Sequence, residues 1–301
     1  MGACKPPRRL ELTVTHELAG KKVDYLLRRV LGLSGTVVRR VKCLEKGITL
    51  DGARVFTSAL AVRGQTLSVL VGDLGPTSGI VPTPGPLDLV YEDGDLLVVN
   101  KAPGVSVHPG PGHFSDTLGN FLMDYYKNTG DSSDFHPVHR LDRGTSGLMV
   151  VAKHAHAQER LKNQLHTPDF KRAYLAVCEG CPSPAAGTVD APLGPVEGSL
   201  MAREVRPDGK EARTRYRVLR EAHGRALLRL ELETGRTHQI RVHMAHLGCP
   251  LTGDFLYGAE DRALIPRTAL HSAELSFRHP VTGEALRFSA PLPEDMKKLI
   301  N

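Results

Sequence analysis

Apolar and polar positions along this 301-residue chain fall into two unlike stretches. In the first, "KKVDYLLRRVLGL" spaces Val23, Leu26, Leu27 and Val30 at the helical interval. Ser34 suits an N-cap, and the helix it would open places Val37, Val41 and Leu44 on one face and would stop at Gly47. "ITLDGARV" holds Asp51-Gly52 between apolar residues, which predicts a tight hairpin. Gly, Pro, Ser and Thr then dominate "LGPTSGIVPTPGPLD". That composition predicts a linker over 74–87, between an N-terminal unit at 1–73 and a larger one at 88–301 that moves semi-independently of it.

The second stretch mixes both periods. "LVYEDGDLLVVNKAP" predicts two strands around Asp93-Gly94, and "VSVHPGPGHFSDTLGNFLMDYYK" a loop and then a helix capped near Ser115 or Asp116. An apolar run at 148–152 and "KRAYLAVCEG" read as strands, with the helical "AHAQERLKNQLH" between them. "TRYRVLREAHGRALLRLELET" predicts a hairpin turning at His223-Gly224, and "LSFRHPVTGEALRFSAPLP" another. Between them, "GRTHQIRVHMAHLG" predicts a helix over 237–247, with Thr237 near its start and Gly248 just past its end. Ile240, Met244 and Leu247 should be buried, with Arg241 one step off that stripe at the edge of a cleft. Strands often follow strands directly, so the fold class is α+β, with a mixed, mostly antiparallel sheet in the larger unit.

Charge changes the picture. Residues 1–72 hold 13 Lys+Arg against 5 Asp+Glu, a net +8, whereas the remainder is −2, within a total of +6. Arg39, Lys42 and Lys46 lie opposite the apolar face of the second helix, with Arg40 nearby, so this small unit should meet a polyanion. Two short helices, a hairpin and that basic stripe resemble the S4 RNA-binding module, although Leu50-Asp51-Gly52 stands where that family usually has Val-Asn-Gly.

Cysteine and histidine narrow the chemistry. The five cysteines, Cys4, Cys43, Cys178, Cys181 and Cys249, suit reduced thiols and a cytoplasmic protein. Cys178 and Cys181 form a lone C-x-x-C without further zinc ligands at matched spacing, so two unrelated thiols are expected. Met1-Gly2 invites an N-myristoylation reading that Pro6 opposes. No run reaches the roughly 18 apolar residues of a membrane span. His238, His243 and His246 could hold a metal in a nucleotide hydrolase or deaminase, but no His pair of the H-x-x-x-H kind with a carboxylate accompanies them.

The richest stretch is "HPVHRLDRGTSGLMVVAK", which sets Asp142 between Arg140 and Arg143 on a turn at the mouth of an apolar strand. An acid so placed is usually a surface ion pair. Desolvated beside an arginine such as Arg241, it becomes candidate chemistry. "HRLDRGTSGLMVVAK" is similar to the signature of the RluA-type pseudouridine synthases, "ETGRTHQIRVHMAHLGCPLTGD" to their second hallmark, and "DLLVVNKAPGVSVHPGPG" to their entry motif. "KRAYLAVCEG" and "RTALHSAELSFRHPVTGE" match lesser ones, so the resemblance spans about 89–293. Ala102-Pro103 departs from it, since the family mostly has Pro then Ala.

The resemblance implies that uridine in RNA becomes pseudouridine. Asp142 matches the catalytic aspartate, attacking the ribose C1′ or the ring, or helping to expel the base. Arg241 matches the arginine paired with it, and Tyr174 the tyrosine that stacks on uracil. Arg140 would fill the space left by the flipped nucleotide and touch its phosphate, and Leu270 would line the base pocket. No cofactor or metal is implied. Large-subunit ribosomal RNA is the expected partner, with transfer RNA, or an RNA-binding protein without activity, as alternatives. A monomer is expected.

Overall fold

The structure, a computed structural model, describes residues 5–301, so Met1-Gly2 and Cys4 lie outside the described residues. The chain begins with β1 (Arg9–Thr13) and α1 (Val23–Tyr25), which runs on as a wider π turn over Leu26–Val30. Then come α2 (Gly35–Lys42), β2 (Ile48–Leu50), β3 (Ala53–Arg54) and β4 (Thr66–Leu70), and the strands pair in the order β1-β4-β2-β3. Val23, Leu26, Leu27, Val37 and Val41 are buried against this sheet, as their spacing predicts. Val30 is instead 41% exposed, because the π turn rotates it off the apolar face. The Ser34 side chain accepts from the Val37 N–H, and Asp51 and Gly52 turn the β2–β3 hairpin with positive φ. α2 stops at Lys42, short of Gly47. The glycine there answers a close approach, since a Cβ would stand 1.8 Å from the Val41 carbonyl oxygen.

The larger unit is one ten-stranded sheet. Its strands are β5 (Leu89–Glu92), β6 (Leu96–Lys101), β7 (His136–Pro137), β8 (Ser146–Ala152), β9 (Lys171–Glu179) and β10 (Ala186–Asp190). After a separate small pair, β11 (Leu193–Pro195) and β12 (Arg203–Val205), follow β13 (Arg213–Ala222), β14 (Arg225–Leu232), β15 (Leu270–Arg278) and β16 (Ala285–Ser289). The main path runs β10-β13-β14-β9-β15-β8-β6-β5. Among the described residues only β8 and β15 pair in parallel, so the sheet is mixed and mostly antiparallel. Helices α3 (Leu118–Thr129) and α4 (Ala155–Gln164) belong to apolar clusters that include the two faces of β6 and β8. α5 (Gln239–His246) enters the first of these clusters, and α6 (Glu294–Lys297) sits near the C-terminus.

Three expectations need correction. The cap of α3 is Thr117, not Ser115 or Asp116, because Asn120 completes a reciprocal capping box with it. α5 is shorter than 237–247 and Leu247 is 37% exposed, because the chain turns at Gly248 (φ 75°) before that side chain can reach the core. The 74–87 segment is no loose tether. Asp134 accepts hydrogen bonds from the backbone N–H groups and the hydroxyls of Thr77 and Ser78. Across the same seam Arg8 chelates Asp95 at 2.8 and 3.0 Å, and Asp73 meets both Arg40 and His136. Charged partners distant in sequence thus bind the two units, where composition predicted only flexibility.

Several histidines are buried and neutral. Burial pushes His139 down to about 3, and His156 and His271 down to about 4, from 6.5. Between these values and 6.5 the unfolded chain binds protons that the folded one refuses, so stability falls as pH drops. We expect stability to fall by at most about 1.4 kcal/mol per histidine per pH unit between pH 7 and pH 5, read as a declining melting temperature. A flat thermal-melt profile over that range would contradict this.

Candidate active site

Asp142 sits in the loop between β7 and β8, and two clamps hold that loop. In one, the Lys101 ammonium, at the end of β6, donates to the carbonyls of Ala102 and Val105 at 2.9 Å and to that of Arg143 at 3.3 Å. The Arg143 side chain returns a bond to the Gly104 carbonyl, and the Gly104 N–H donates to the Arg143 carbonyl. Ala102-Pro103 therefore lies within the clamp. Three acceptors suit the three hydrogens of an ammonium, although burial pushes Lys101 down to about 7. In the other, Arg267, anchored by Asp295, reaches the Gly144 carbonyl at 3.5 Å and the Leu270 carbonyl at 3.1 Å.

Behind the loop, Gly147 faces Ser272 where β8 and β15 run in parallel. Its φ is 110°, and a Cβ would lie 2.3 Å from the Ser272 carbonyl oxygen. Only glycine permits that backbone angle and approach, which bring the Asp142 loop beside Leu270 at the start of β15.

A cleft of about 410 Å³ opens here, lined by Arg140, Asp142, Tyr174, Arg241 and Leu270 among others. Residues separated by up to 130 positions thus meet at one place. Tyr174 and Leu270 are 4% exposed, and burial raises the Tyr174 phenol above its usual value. Arg140 is exposed at the mouth, whereas its neighbour Arg143 turns away to the Gly104 clamp. The two arginines flanking the acid therefore divide between cleft and scaffold. Arg39, Arg40, Lys42 and Lys46 lie apart from the cleft, in the N-terminal unit. Arg40 donates to the Val71 carbonyl and pairs with Asp73, so part of its guanidinium is engaged within the protein.

Arg241 is more deeply placed than a cleft-edge position implied, at 4% exposure. Its Nε and Nη2 each bond one oxygen of Asp254 at 2.7 Å, and its Nη1 stands 3.6 Å from Asp142 Oδ2. The rings of Phe255 and Tyr257 lie 5.5 and 5.0 Å from the guanidinium carbon. On the same side, His238 Nε2 is 3.9 Å from Asp142 Oδ2 and His238 Nδ1 is 2.8 Å from the Tyr257 hydroxyl, which accepts from the Arg203 N–H. Burial lowers His238 from its usual value, against the pull of Asp142. Just ahead of α5 the Gln239 side chain accepts from the Arg236 N–H.

Sequence reasoning missed Lys101, Asp254, Tyr257 and Arg267. Asp254 ends a motif already noted, "HLGCPLTGD", but nothing in its spacing from Arg241 tells a partner from a turn residue. The histidines that hinted at a metal have other work. His238 faces Asp142, and His243 bonds Thr214 and the Ala191 carbonyl. Asp93, Asp95 and His279 form the one cluster of potential metal ligands among the described residues, with ligand atoms within 4.8 Å. All three are engaged, in bonds with Tyr91, Arg8, His154 and one another. The four cysteines described, Cys43, Cys178, Cys181 and Cys249, are free thiols, with Cys178 pushed up to about 12 by burial. No helix among the described residues is long and apolar enough to cross a membrane.

Removing Asp254 leaves a buried guanidinium with one distant partner. Asp254→Ala is expected to lower stability by about 3–5 kcal/mol, measured by urea denaturation. A loss below about 1 kcal/mol would show that the pair is not the anchor its geometry indicates.

Comparison with known proteins agrees with this geometry. Residues 95–246 match the family described as RNA pseudouridylate synthase. The uncharacterized RNA pseudouridine synthase YjbO of Bacillus subtilis is 43% identical over 270 residues, covering 90% of this chain and 95% of that protein. The ribosomal large subunit pseudouridine synthase D of Vibrio cholerae is 45% identical over 305 residues, covering 96% and 93%. Among solved structures, human RNA pseudouridylate synthase domain containing 1 superposes with a TM-score of 0.57 at 28% identity, covering 69% of this chain and 85% of that one.

Proposed function

The chain belongs to the RNA pseudouridylate synthase family, an isomerase family, and on that premise we propose that it converts uridines of large-subunit ribosomal RNA to pseudouridine with Asp142 as nucleophile. The ribosomal substrate is supported by relatives named for the large subunit that align along nearly the whole chain. The observation that carries the assignment of Asp142 is its place in the cleft, 3.6 Å from a guanidinium whose other edge is locked by Asp254.

In the reaction the N1–C1′ bond breaks, the uracil turns, and C5 joins C1′. C5 gives up a proton and N1 gains one, so atoms balance without an oxidant or second substrate. A uridine in folded RNA must first be everted, at a cost of a few kcal/mol. Arg140 at the mouth offsets part of that cost by binding phosphate and filling the vacated space. The uracil stacks on Tyr174, with Leu270 closing the pocket. Held beside Arg241, whose fixed charge stabilises it, the Asp142 carboxylate bonds C1′ as the N1–C1′ bond breaks and is displaced again as C5 bonds C1′. Covalent catalysis of this kind divides one difficult step into easier ones.

The N-terminal unit, taken as residues 1–73, serves as an S4-like RNA clamp. α2 presents Arg39 and Lys42 to solvent, with Lys46 beyond it, over a buried face of Val37 and Val41. Replacing these three cations with glutamine should flatten the salt dependence of RNA affinity by about two log units per log unit of salt. An unchanged slope would remove this face from the interface.

Asp142→Asn should abolish pseudouridine formation, read by mass spectrometry of ribosomal RNA, while retaining RNA binding. Turnover equal to that of the unaltered protein would refute the nucleophile. Pseudouridine maps of ribosomal RNA from cells with and without the gene would identify the target, and identical maps would refute the ribosomal substrate.

A further inference from the structure

Three arginines are buried among the described residues: Arg172 at 7% exposure, Arg241 at 4% and Arg267 at 8%. Arg241 chelates Asp254 and Arg267 chelates Asp295, each through Nε and one terminal nitrogen. Arg172 has no such carboxylate among the described residues. Its Nε is enclosed without an acceptor, and its terminal nitrogens meet none either. A guanidinium cannot shed its proton to escape this situation, so its charge calls for an anion.

The position of Arg172 shows where that anion would come from. It is the second residue of β9, on the same face as Tyr174 two residues on, and it lines the catalytic cleft. The Phe170 ring backs the guanidinium at 5.8 Å. Gly235 stands on another side, where a Cβ would lie 3.4 Å from Nη1 and 3.5 Å from Nη2. With glycine there, neither nitrogen is covered. The cleft lining holds Arg140, Arg172, Arg236 and Arg241 against a single carboxylate, Asp142, which Arg241 already faces.

We propose that Arg172 is a phosphate-binding group of the catalytic cleft, its two terminal nitrogens taking the non-bridging oxygens of an RNA phosphate beside the everted uridine. The proposal rests on the RNA-modifying reading of the same cleft. A planar fork with two free nitrogens matches two phosphate oxygens. A uracil carbonyl would offer one acceptor and leave the buried charge uncompensated.

The test uses the full chain and a hairpin RNA carrying a uridine that the unaltered protein converts. Conversion of that hairpin establishes the activity independently of Arg172. Versions of the hairpin carry one uncharged methylphosphonate linkage at a time around the target. One such linkage should weaken binding by the unaltered protein about tenfold. Arg172→Gln should bind the native hairpin more weakly, show no further loss at that linkage, and lower the salt slope by about 0.7. Gly235→Ala keeps the cation but sets a methyl group against both nitrogens, so it should lose sensitivity to the same linkage. That variant carries the test if Arg172→Gln does not fold. Two results would overturn the proposal: sensitivity to every linkage unchanged in the variants, or a fall in kcat with Kd and salt slope intact. The second would place the guanidinium on the departing base instead.

Discussion

The site depends on one buried ion pair, Arg241 with Asp254. Two bonds of 2.7 Å fix the plane of the guanidinium and use one of its edges, which leaves Nη1 directed at Asp142. An arginine held only by Asp142 would follow any movement of that carboxylate. Held from behind, it is a stationary charge, and stationary charge is what stabilises a reacting centre without reorganisation. Asp254 is wholly buried, so the pair is little screened by water.

Around that fixed charge the fold places the acid by its backbone. Lys101 and Arg267 grip the successive carbonyl oxygens of Arg143 and Gly144 in the 142–145 turn, and Gly147 lets its exit strand press against β15. The apolar β8 behind, buried along its whole length, makes the platform rigid. At the rim Arg140 is exposed, where an incoming strand of RNA would meet it first. Arg172 extends the same logic as a deep cation whose partner is not part of the chain.

Much of this was legible in the residues themselves. Local chemistry fixes local structure, so the Ser34 cap, the Asp51-Gly52 and His223-Gly224 turns and the alternating strands all stand where pattern alone puts them. The motif-bearing residues Asp142, Arg140, Tyr174, Arg241 and Leu270 could be named before any contact was known. Errors arose where a local signal competed with a distant partner. Asn120 moved a helix cap by one or two residues, and Asp134 turned a Gly/Pro-rich segment into a bound strap. Arg40, counted with a basic face, is partly engaged by Asp73.

By itself, then, the sequence determined which elements form, which faces are apolar and where the basic excess lies, because these follow from properties a residue shares with near neighbours. Only the tertiary structure decided which charges are paired. Arg172, Arg241 and Arg267 look alike on the page, yet two are closed by carboxylates and one is open to the cleft. Pairing depends on distance and exclusion of water in the folded state, and neither quantity is written in the order of residues.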